Sequence, residues 1–440
     1  MDLRLKTVQL FHSILARAGR GGSLPGSLAL KMDPDFIRKF HMPDRVILVT
    51  GTNGKTTTSN LIAESLRASG MKVLNNRRGD NLNVGIATLL ASGSDADYHI
   101  KADACVIEVD ELTLYRQFSS LHPTHLVITN FFRDQLDRAG EMETIIRKIQ
   151  EVTKDFTGHI ILNGDDPNSL RIADTATKAK IHLFSVAENS ISQKTTDEAS
   201  EGKFCPRCGH PLKYDYYQYS HIGRFHCEKD GFGNITPDVY VTDCDYEHGT
   251  FTVSDRKFHS FINSIYAIYN CASVLTLMKT MDLDPGAADH VFNTFEMKEG
   301  RNEVFHFSCD SIINLVKNPT GTNEVLKSIL SQKEDKNVCI LLNDNDQDGH
   351  DVSWIWDAHF ERLDVPEVKH IICSGLRAYD MALRLKYEGL EDRIIVIEDV
   401  EKAIAWLDEA GMKSYVIATY TALHSTRAIM RKQEKKHIWI

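Results

Sequence analysis

The feature that most constrains this chain is an apolar strand that leads through a glycine-containing loop into a helical pattern. The strand is predicted at residues 46–49, and apolar side chains recur at helical spacing from residue 61 onward. Backbone N–H groups of such a loop and of the following helix N-terminus can surround phosphate oxygens. Lys55 can reach the terminal phosphates, and the Thr56 hydroxyl can ligate Mg²⁺. The candidate nucleotide-binding residues are Gly51, Thr52, Asn53, Gly54, Lys55, Thr56 and Thr57.

The residues after this helix alternate between apolar runs and helical patterns. This alternation predicts an α/β fold with a mostly parallel sheet and helices on both of its faces. Polar residues follow several of the runs, and the carboxyl ends of parallel strands meet at one edge of a sheet. We therefore expect Glu108, Asn130 and the segment 163–167 to converge near the loop. The predicted strands are residues 72–74, 103–109, 125–130 and 159–163.

Composition places the chain among globular proteins that do not cross a membrane. It has 440 residues, of which 42% are hydrophobic, and a net charge of −10, which argues against bulk nucleic-acid binding. No apolar run approaches the roughly 18–20 residues that span a bilayer. Residues 1–20 have apolar side chains at helical spacing without a signal-peptide core. We expect a cytoplasmic protein whose N-terminal helix packs on its own domain, with a membrane or partner contact as the alternative.

Three of the nine cysteines are clustered, which indicates a metal site in a reducing compartment. Cys205 and Cys208 form a Cys-x-x-Cys-Gly turn, and Cys227 follows a tyrosine-rich strand pattern. A structural zinc site needs four ligands, so we predict a zinc ribbon at about residues 203–236. The candidates for the fourth ligand are Asp230 and His226. The alternative is a metal-free ribbon held by its aromatic residues.

The last third of the chain has its own alternation of strands and helices. Five apolar runs predict a second α/β domain. An acid-rich segment begins at Asn343 and leads into a predicted helix with two tryptophans, Trp354 and Trp356. Such segments are commonly solvated turns. An aspartate before that helix could instead be held in place to orient a histidine.

Several of these motifs together resemble the Mur ligase family, which includes the folylpolyglutamate synthetases. The resemblance is carried by the Gly-Thr-Asn-Gly-Lys-Thr loop, Thr129-Asn130, the Asn-x-Asp-Asp-Pro pattern at 163–167, and Gly300-Arg301-x-Glu303. It implies that ATP activates a carboxylate as an acyl phosphate, which an amine then attacks. The implied roles are Mg²⁺ ligation by Thr56 and Glu108, ATP contacts by Asn270 and Arg301, and substrate-side contacts by Asn130 and Asp134.

A closer resemblance is to the MurT-type subunits of lipid II isoglutaminyl synthase. It is carried by the cysteine ribbon and by the segments 315–321 and 348–357. It implies ATP-dependent amidation of the α-carboxylate of D-glutamate in the lipid II stem peptide, with ammonia from a GatD-type glutaminase partner. It further implies that Asp351 completes the Cys-His site of that partner and that Lys317 and Asn318 lie on the substrate side. No cysteine of this chain has a nucleophile-elbow context, which agrees with a division of labour between two subunits.

The predicted organisation is therefore an N-terminal helical segment, a Mur-ligase-like ATP-binding domain with the ribbon insertion, and a C-terminal Rossmann-like domain. The predicted ranges are 1–45, 46–300 and 301–440. The predicted cofactors are ATP, Mg²⁺ and structural Zn²⁺, and the predicted partners are a glutaminase in a heterodimer and lipid II at the cytoplasmic membrane face, without nucleic acid. Two alternatives remain at this point: a carboxylate–amine ligase that needs no glutaminase, and a nucleotide-gated binding module without catalysis.

Overall fold

The computed structural model describes residues 2–17, 22–77, 79–132, 142–196, 202–296 and 301–438. The chain forms two compact units, Met1–Phe132 with Met142–Phe295, and a second unit that includes Glu296–Ile440. Asp134 lies outside the described residues, and so does the side chain of Arg301. Among the helices described, none has both the length and the apolar character needed to cross a membrane.

The first unit is an α/β structure. Its helices are α1 Leu3–Arg17, α2 Leu24–Met32, α3 Lys55–Ala68, α4 Asn83–Gly93, α5 Glu111–Leu121, α6 Met142–Thr153, α7 Pro167–Leu170, α8 Ile265–Thr280 and α9 Pro285–Thr294. Its strands are β1 Arg45–Thr50, β2 Val73–Asn75, β3 Ala104–Glu108, β4 His125–Ile128, β5 His159–Asn163, β6 Lys180–Val186, β7 Lys213–Tyr219, β8 Ile222–His226, β9 Val239–Asp245, β10 Thr250–Val253 and β11 Arg256–His259.

Nine strands of this unit form one sheet in the order β11-β10-β9-β6-β5-β4-β1-β3-β2. The pairs from β2 to β9 are parallel, and β10 and β11 add an antiparallel edge. The inner strands β3 and β4 are buried at every position, as strands covered on both faces must be. The predicted parallel sheet is therefore confirmed, whereas β6 and β9 to β11 were not among the predicted strands. The remaining strands, β7 and β8, form the hairpin of the cysteine ribbon.

A row of three histidines crosses this sheet on adjacent strands. The ring centroids of His125 and His159 are 4.8 Å apart, and those of His159 and His182 are 5.1 Å apart. Burial, followed by the charges that the two neighbouring histidines can carry, lowers the pKa of His125 to about 4. Burial also lowers the pKa of His159. The folded state therefore favours neutral imidazoles at His125 and His159.

Acid is expected to destabilise the first unit through His125. Its pKa rises from about 4 in the folded state to 6.5 on unfolding, so the unfolded state binds the proton first. Stability is then lost as the pH falls from about 6.5 towards 4, by about 2 kcal/mol between pH 7.5 and pH 5. His125→Gln should reduce this loss. The measurement is hydrogen exchange in urea of peptides that cover residues 125–186. Tryptophan fluorescence would report on the second unit instead, because all four tryptophans follow residue 350.

The control for this prediction is His290→Gln, because His290 is exposed on α9 and has no place in the row. This variant should keep the acid sensitivity of the unchanged chain. An identical pH dependence in His125→Gln and the unchanged chain would contradict the assignment to His125.

The second unit is also α/β. Its strands are β12 Arg301–His306, β13 Asp310–Leu315, β14 Lys336–Leu341, β15 Val368–Ser374, β16 Ile394–Val396 and β17 Ser414–Ala418. Its helices are α10 Pro319–Leu330, α11 Ala378–Tyr387, α12 Val400–Glu409 and α13 Tyr420–Ile438. The sheet order is β12-β13-β17-β14-β15-β16. All neighbours are parallel except the β12–β13 pair, which was not predicted.

The predicted helix with two tryptophans is wrong in kind, because the structure has only a 3₁₀ turn at Ser353–Trp356. A continuing α-helix would join the carbonyl of Ile355 to the N–H of His359. Instead, Arg384 Nε donates to the Ile355 carbonyl at 3.1 Å, and the His359 N–H donates to Asn323 Oδ1 at 2.8 Å. Tertiary hydrogen bonds have thus replaced the helical ones.

Candidate functional site

The loop between β1 and α3 has the backbone shape of a phosphate-binding loop. Gly51 and Gly54 have φ angles of 119° and 82°, in the left-handed region that favours glycine. A methyl group on Gly51 would lie 2.4 Å from Thr129 Oγ1. The loop then enters α3 at Lys55, so the first N–H groups of that helix begin directly where the loop ends. The predicted loop is confirmed in shape.

The residues after β4 hold this loop in place. The N–H of Thr52 donates to the carbonyl of Asn130 at 2.8 Å, and the N–H of Asn53 donates to Asn130 Oδ1 at 2.9 Å. Thr129 Oγ1 donates to the Asn53 carbonyl at 2.8 Å. The Asn130 amide, expected on the substrate side, is buried against the loop backbone. The structure therefore makes Asn130 a positioning residue for the loop.

The two aspartates that follow β5 are structural in the same sense. Asp166 accepts the N–H of Phe131 at 2.8 Å and caps the short helix α7. Asp165 accepts hydrogen bonds from Ser185 at 2.6 Å and from Tyr269 at 2.7 Å. Both aspartates are fully buried, and burial raises the pKa of Asp165. Asp166 thereby fixes the residue after Asn130, Asp165 ties β6 to α8, and both carboxylates are occupied by these bonds.

Lys55 lies over its own loop and pairs with Glu111. Its Nζ donates to the carbonyl of Gly51 and lies 3.1 Å from Glu111 Oε1. Both side chains are nearly buried. Glu111 begins α5 directly after the β3 end, where Asp110 caps the helix. The sequence marks an acidic group there, but only the fold shows that it meets Lys55.

Thr56 and Glu108 face the same small space beside Gly79. A methyl group on Gly79 would lie 3.2 Å from Thr56 Oγ1 and 3.3 Å from Glu108 Oε2. Glu108 Oε1 accepts a hydrogen bond from Asn81 at 2.9 Å, whereas its buried Oε2 has no partner among the described residues. A hydroxyl beside an unsatisfied carboxylate oxygen is a donor set that fits Mg²⁺.

Asn270 lies on α8 against the same loop. A methyl group on Gly54 would come within 2.7 Å of Asn270 Oδ1. The side chain is only 7% exposed, and Ser264 caps its helix. The family resemblance implies that Asn270 contacts the nucleotide, and the structure brings its amide to the glycine that precedes Lys55.

The second unit contains the other candidates. Asn318 is an N-cap, because its Oδ1 accepts the N–H of Gly321 at 2.8 Å at the start of α10, and Lys317 is half-buried beside it. Asp351 is half-buried, and its Oδ1 accepts the N–H of Ser353 at 2.8 Å. This bond holds the aspartate just before the 3₁₀ turn, as an orienting carboxylate requires.

The cysteine ribbon brings four potential ligands together. The donor atoms of Cys205, Cys208, Cys227 and Asp230 all lie within 4.8 Å of one another. Cys205 Sγ donates to Asp230 Oδ2 at 3.2 Å, and burial raises the pKa of the Cys205 thiol to about 12. Three thiols and a carboxylate fit a four-coordinate zinc ion, which binds cysteine as thiolate.

Two turns of the same shape build this cluster. In the first turn the Cys205 carbonyl accepts the N–H of Gly209, and in the second the Cys227 carbonyl accepts that of Gly231, each at 2.9 Å. The two glycines have φ angles of 70° and 76°. Asp230 therefore takes in the second turn the place of a cysteine in the first.

His226, the other candidate for the fourth ligand, lies on the ribbon hairpin. Its Nδ1 is 3.8 Å from Asp215 Oδ1, and it is not a member of the four-residue cluster. Of the two alternatives, the geometry favours Asp230.

Comparison with known proteins places this geometry in a family. A family model described as the Mur ligase middle domain matches residues 49–226, and one described as MurT ligase C-terminal matches residues 315–423. The lipid II isoglutaminyl synthase (glutamine-hydrolyzing) subunit MurT of Staphylococcus aureus (strain COL) is 35% identical over 409 residues, which are 92% of this chain and 91% of that protein. The chain belongs to the MurT family. The Streptococcus pneumoniae (strain ATCC BAA-255 / R6) MurT is 31% identical and covers 96% of this chain and 95% of its own length.

Solved structures agree with the MurT assignment at the level of the fold. A pseudomurein peptide ligase type C from Methanothermus fervidus matches with a TM-score of 0.68 at 20% identity, over 90% of this chain and 80% of the other. The predicted fold class, a Mur-ligase-like P-loop domain with a ribbon insertion and a second α/β domain, is confirmed. The family assignment also confirms the predicted ligase class and argues against a binding module without catalysis.

Proposed function

We propose that this MurT-family chain is the ATP-using subunit that amidates the D-glutamate α-carboxylate of the lipid II stem peptide. The observation that carries the proposal is the space beside the phosphate loop that is shared by Thr56 Oγ1 and Glu108 Oε2, an oxygen without a partner among the described residues. Such a site suits the Mg²⁺ that accompanies a nucleoside triphosphate. The two MurT relatives, which match almost the whole chain, supply the amidation of lipid II as the reaction.

The proposed roles follow from the chemistry of phosphoryl transfer. Thr56 and Glu108 would hold Mg²⁺, which neutralises charge on the β- and γ-phosphates when bound. Lys55 would leave Glu111 and reach the terminal phosphates, while the N–H groups at the start of α3 and the Asn270 amide would contact the rest of the nucleotide. The γ-phosphoryl group passes to the substrate carboxylate, and ammonia then displaces phosphate from the acyl phosphate. Arg301, Asp134 and Lys317 remain proposed contacts to ATP or substrate.

The ammonia is proposed to come from a GatD-type glutaminase in a heterodimer. Asp351 would accept the ring N–H of a histidine in the Cys-His site of that partner and stabilise its charged form. Its bond to the Ser353 N–H fixes the carboxylate for that purpose. We also propose the domain ranges 1–45, 46–300 and 301–440, with a structural zinc in the ribbon and lipid II reached at the cytoplasmic membrane face.

Asp351→Asn is expected to abolish glutamine-dependent amidation while ammonium-dependent amidation continues. The asparagine keeps the shape of the side chain but not its charge, and the loss should be on the order of a hundredfold or more. The measurement is the mass of lipid II after incubation with ATP and either glutamine or ammonium, with and without the glutaminase partner.

The matched control is Asp346→Asn, because Asp346 lies in the same loop and its side chain is 95% exposed. This variant should use glutamine normally. Glutamine use by Asp351→Asn at the unchanged rate would contradict the role of Asp351. Amidation by neither nitrogen source, together with ATP consumption on adding a free amino acid, would instead indicate a ligase without a glutaminase.

A further inference from the structure

Helix α1 has apolar side chains on two opposite faces. Leu5 and Val8 are fully buried on the face that packs against the first unit. Leu3, Leu10 and Ile14 follow one another at helical spacing on the other face, and they are 78%, 64% and 58% exposed. The face with Leu5 and Val8 therefore packs the helix onto the first unit, whereas the face with Leu3, Leu10 and Ile14 is exposed.

The rotation of α1 about its own axis is fixed, so this outward face cannot turn inward. Gln9 Nε2 donates to the carbonyl of Ala91 at 2.9 Å and to that of Ser94 at 3.2 Å. At the N-terminus, Asp2 Oδ2 accepts the hydroxyl of Tyr98 at 2.7 Å. These bonds keep Leu3, Leu10 and Ile14 directed away from the unit.

The charge of α1 is opposite to that of the whole chain. The helix sequence LRLKTVQLFHSILAR contains no acidic residue, although the chain has a net charge of −10. Lys6 lies beside the outward apolar face and is exposed, and Arg4 is 3.4 Å from Asp33. An apolar face with an exposed lysine beside it, on a helix without acidic residues, suits an anionic lipid surface.

The size of the outward face argues against a second copy of the chain as its occupant. A stable protein–protein interface buries about 800 Å² on each partner. Three aliphatic side chains on one helix provide much less than that. A membrane surface needs no shape complementarity and accepts such side chains singly among its headgroups.

We propose that the outward face of α1 rests on an anionic membrane surface and thereby places the first unit at the bilayer. The contact consists of Leu3, Leu10 and Ile14 in the interface, with Lys6 near the headgroups. The effect of this membrane contact on catalysis rests on the proposed function, because a lipid-linked substrate would lie in the same surface. The vesicle contact itself does not depend on the reaction.

The test is flotation of the full chain with vesicles of phosphatidylglycerol and phosphatidylcholine, and with vesicles of phosphatidylcholine alone. The unchanged chain should float with the anionic vesicles and do so less at high salt. Leu10→Ser combined with Ile14→Ser should weaken this binding by about tenfold or more, because two aliphatic side chains leave the interface. Both positions are exposed, so the fold should not change. The control is Leu383→Ser, at a half-exposed leucine of α11.

Equal flotation of the double variant and the unchanged chain would overturn the proposal. So would a concentration-dependent dimer, seen by light scattering, that the double variant abolishes. Amidation of lipid II in detergent is measured on the same two proteins. The double variant should retain it there and lose it only in vesicles, so failure of the membrane contact is distinguishable from failure of the proposed reaction.

Discussion

Glu108→Gln is expected to lower ATP-dependent amidation by on the order of a hundred- to a thousandfold, with ammonium as well as with glutamine. The change keeps the shape of the side chain and its bond to Asn81 but removes the charge beside Thr56. A neutral amide is a poor ligand for Mg²⁺, so charge on the transferring phosphoryl group loses its compensation. The measurement is the amidation rate across a Mg²⁺ titration, with ammonium as the nitrogen source.

The control for this variant is Glu64→Gln on α3, where the carboxylate pairs with Arg67 at the surface. It should leave the rate unchanged. Gly79→Ala offers a second approach, because its methyl group would enter the space between Thr56 and Glu108. The alanine would also have to adopt the φ angle of 77° that the glycine has. A Glu108→Gln variant with more than about a third of the normal rate and the same Mg²⁺ dependence would rule out ligation by Glu108.

Removing the proposed zinc from the ribbon is expected to unfold residues 203–236 while the rest of the first unit stays folded. The ribbon has a small apolar core around Phe225 and Phe232, so the metal would supply much of its stability. Cys227→Ser should remove the proposed zinc ion, because it replaces one of the four candidate ligands. Hydrogen-exchange protection of the ribbon should fall by about a hundredfold, or about 3 kcal/mol. Elemental analysis and exchange mass spectrometry measure the two effects.

The controls separate ligation from loss of a thiol. Cys309→Ser should retain the zinc, because Cys309 lies outside the ribbon and its thiol donates to the Gly411 carbonyl. Asp230→Asn should weaken zinc binding, and Asp230→Cys should restore or tighten it, because the second turn has the shape of a cysteine turn. Purified protein without zinc, but with a fully protected ribbon, would favour a metal-free ribbon held by its aromatic residues.

Local chemistry explains which parts of this site were predictable. The phosphate loop needs a strand, two glycines, a lysine and a hydroxyl residue within a few positions, so consecutive residues specify it. The first Cys-x-x-Cys turn is local in the same way, and Asp230 was a candidate because it repeats the spacing. Asp351 was selected by resemblance alone, and its role stays a prediction.

The amino-acid sequence by itself determined the α/β class, the phosphate loop at Lys55 and the position of the ribbon, because each depends on residues close together in the chain. Only the tertiary structure decided that Asn130 supports the loop and that Lys55 pairs with Glu111. It also decided that β12 joins the second sheet and that the tryptophan segment is a 3₁₀ turn. Strand β12 pairs with the neighbouring β13 through a short hairpin, which the sequence interpretation missed. The other three results depend on hydrogen bonds or ion pairs between residues distant in sequence, which no local pattern encodes.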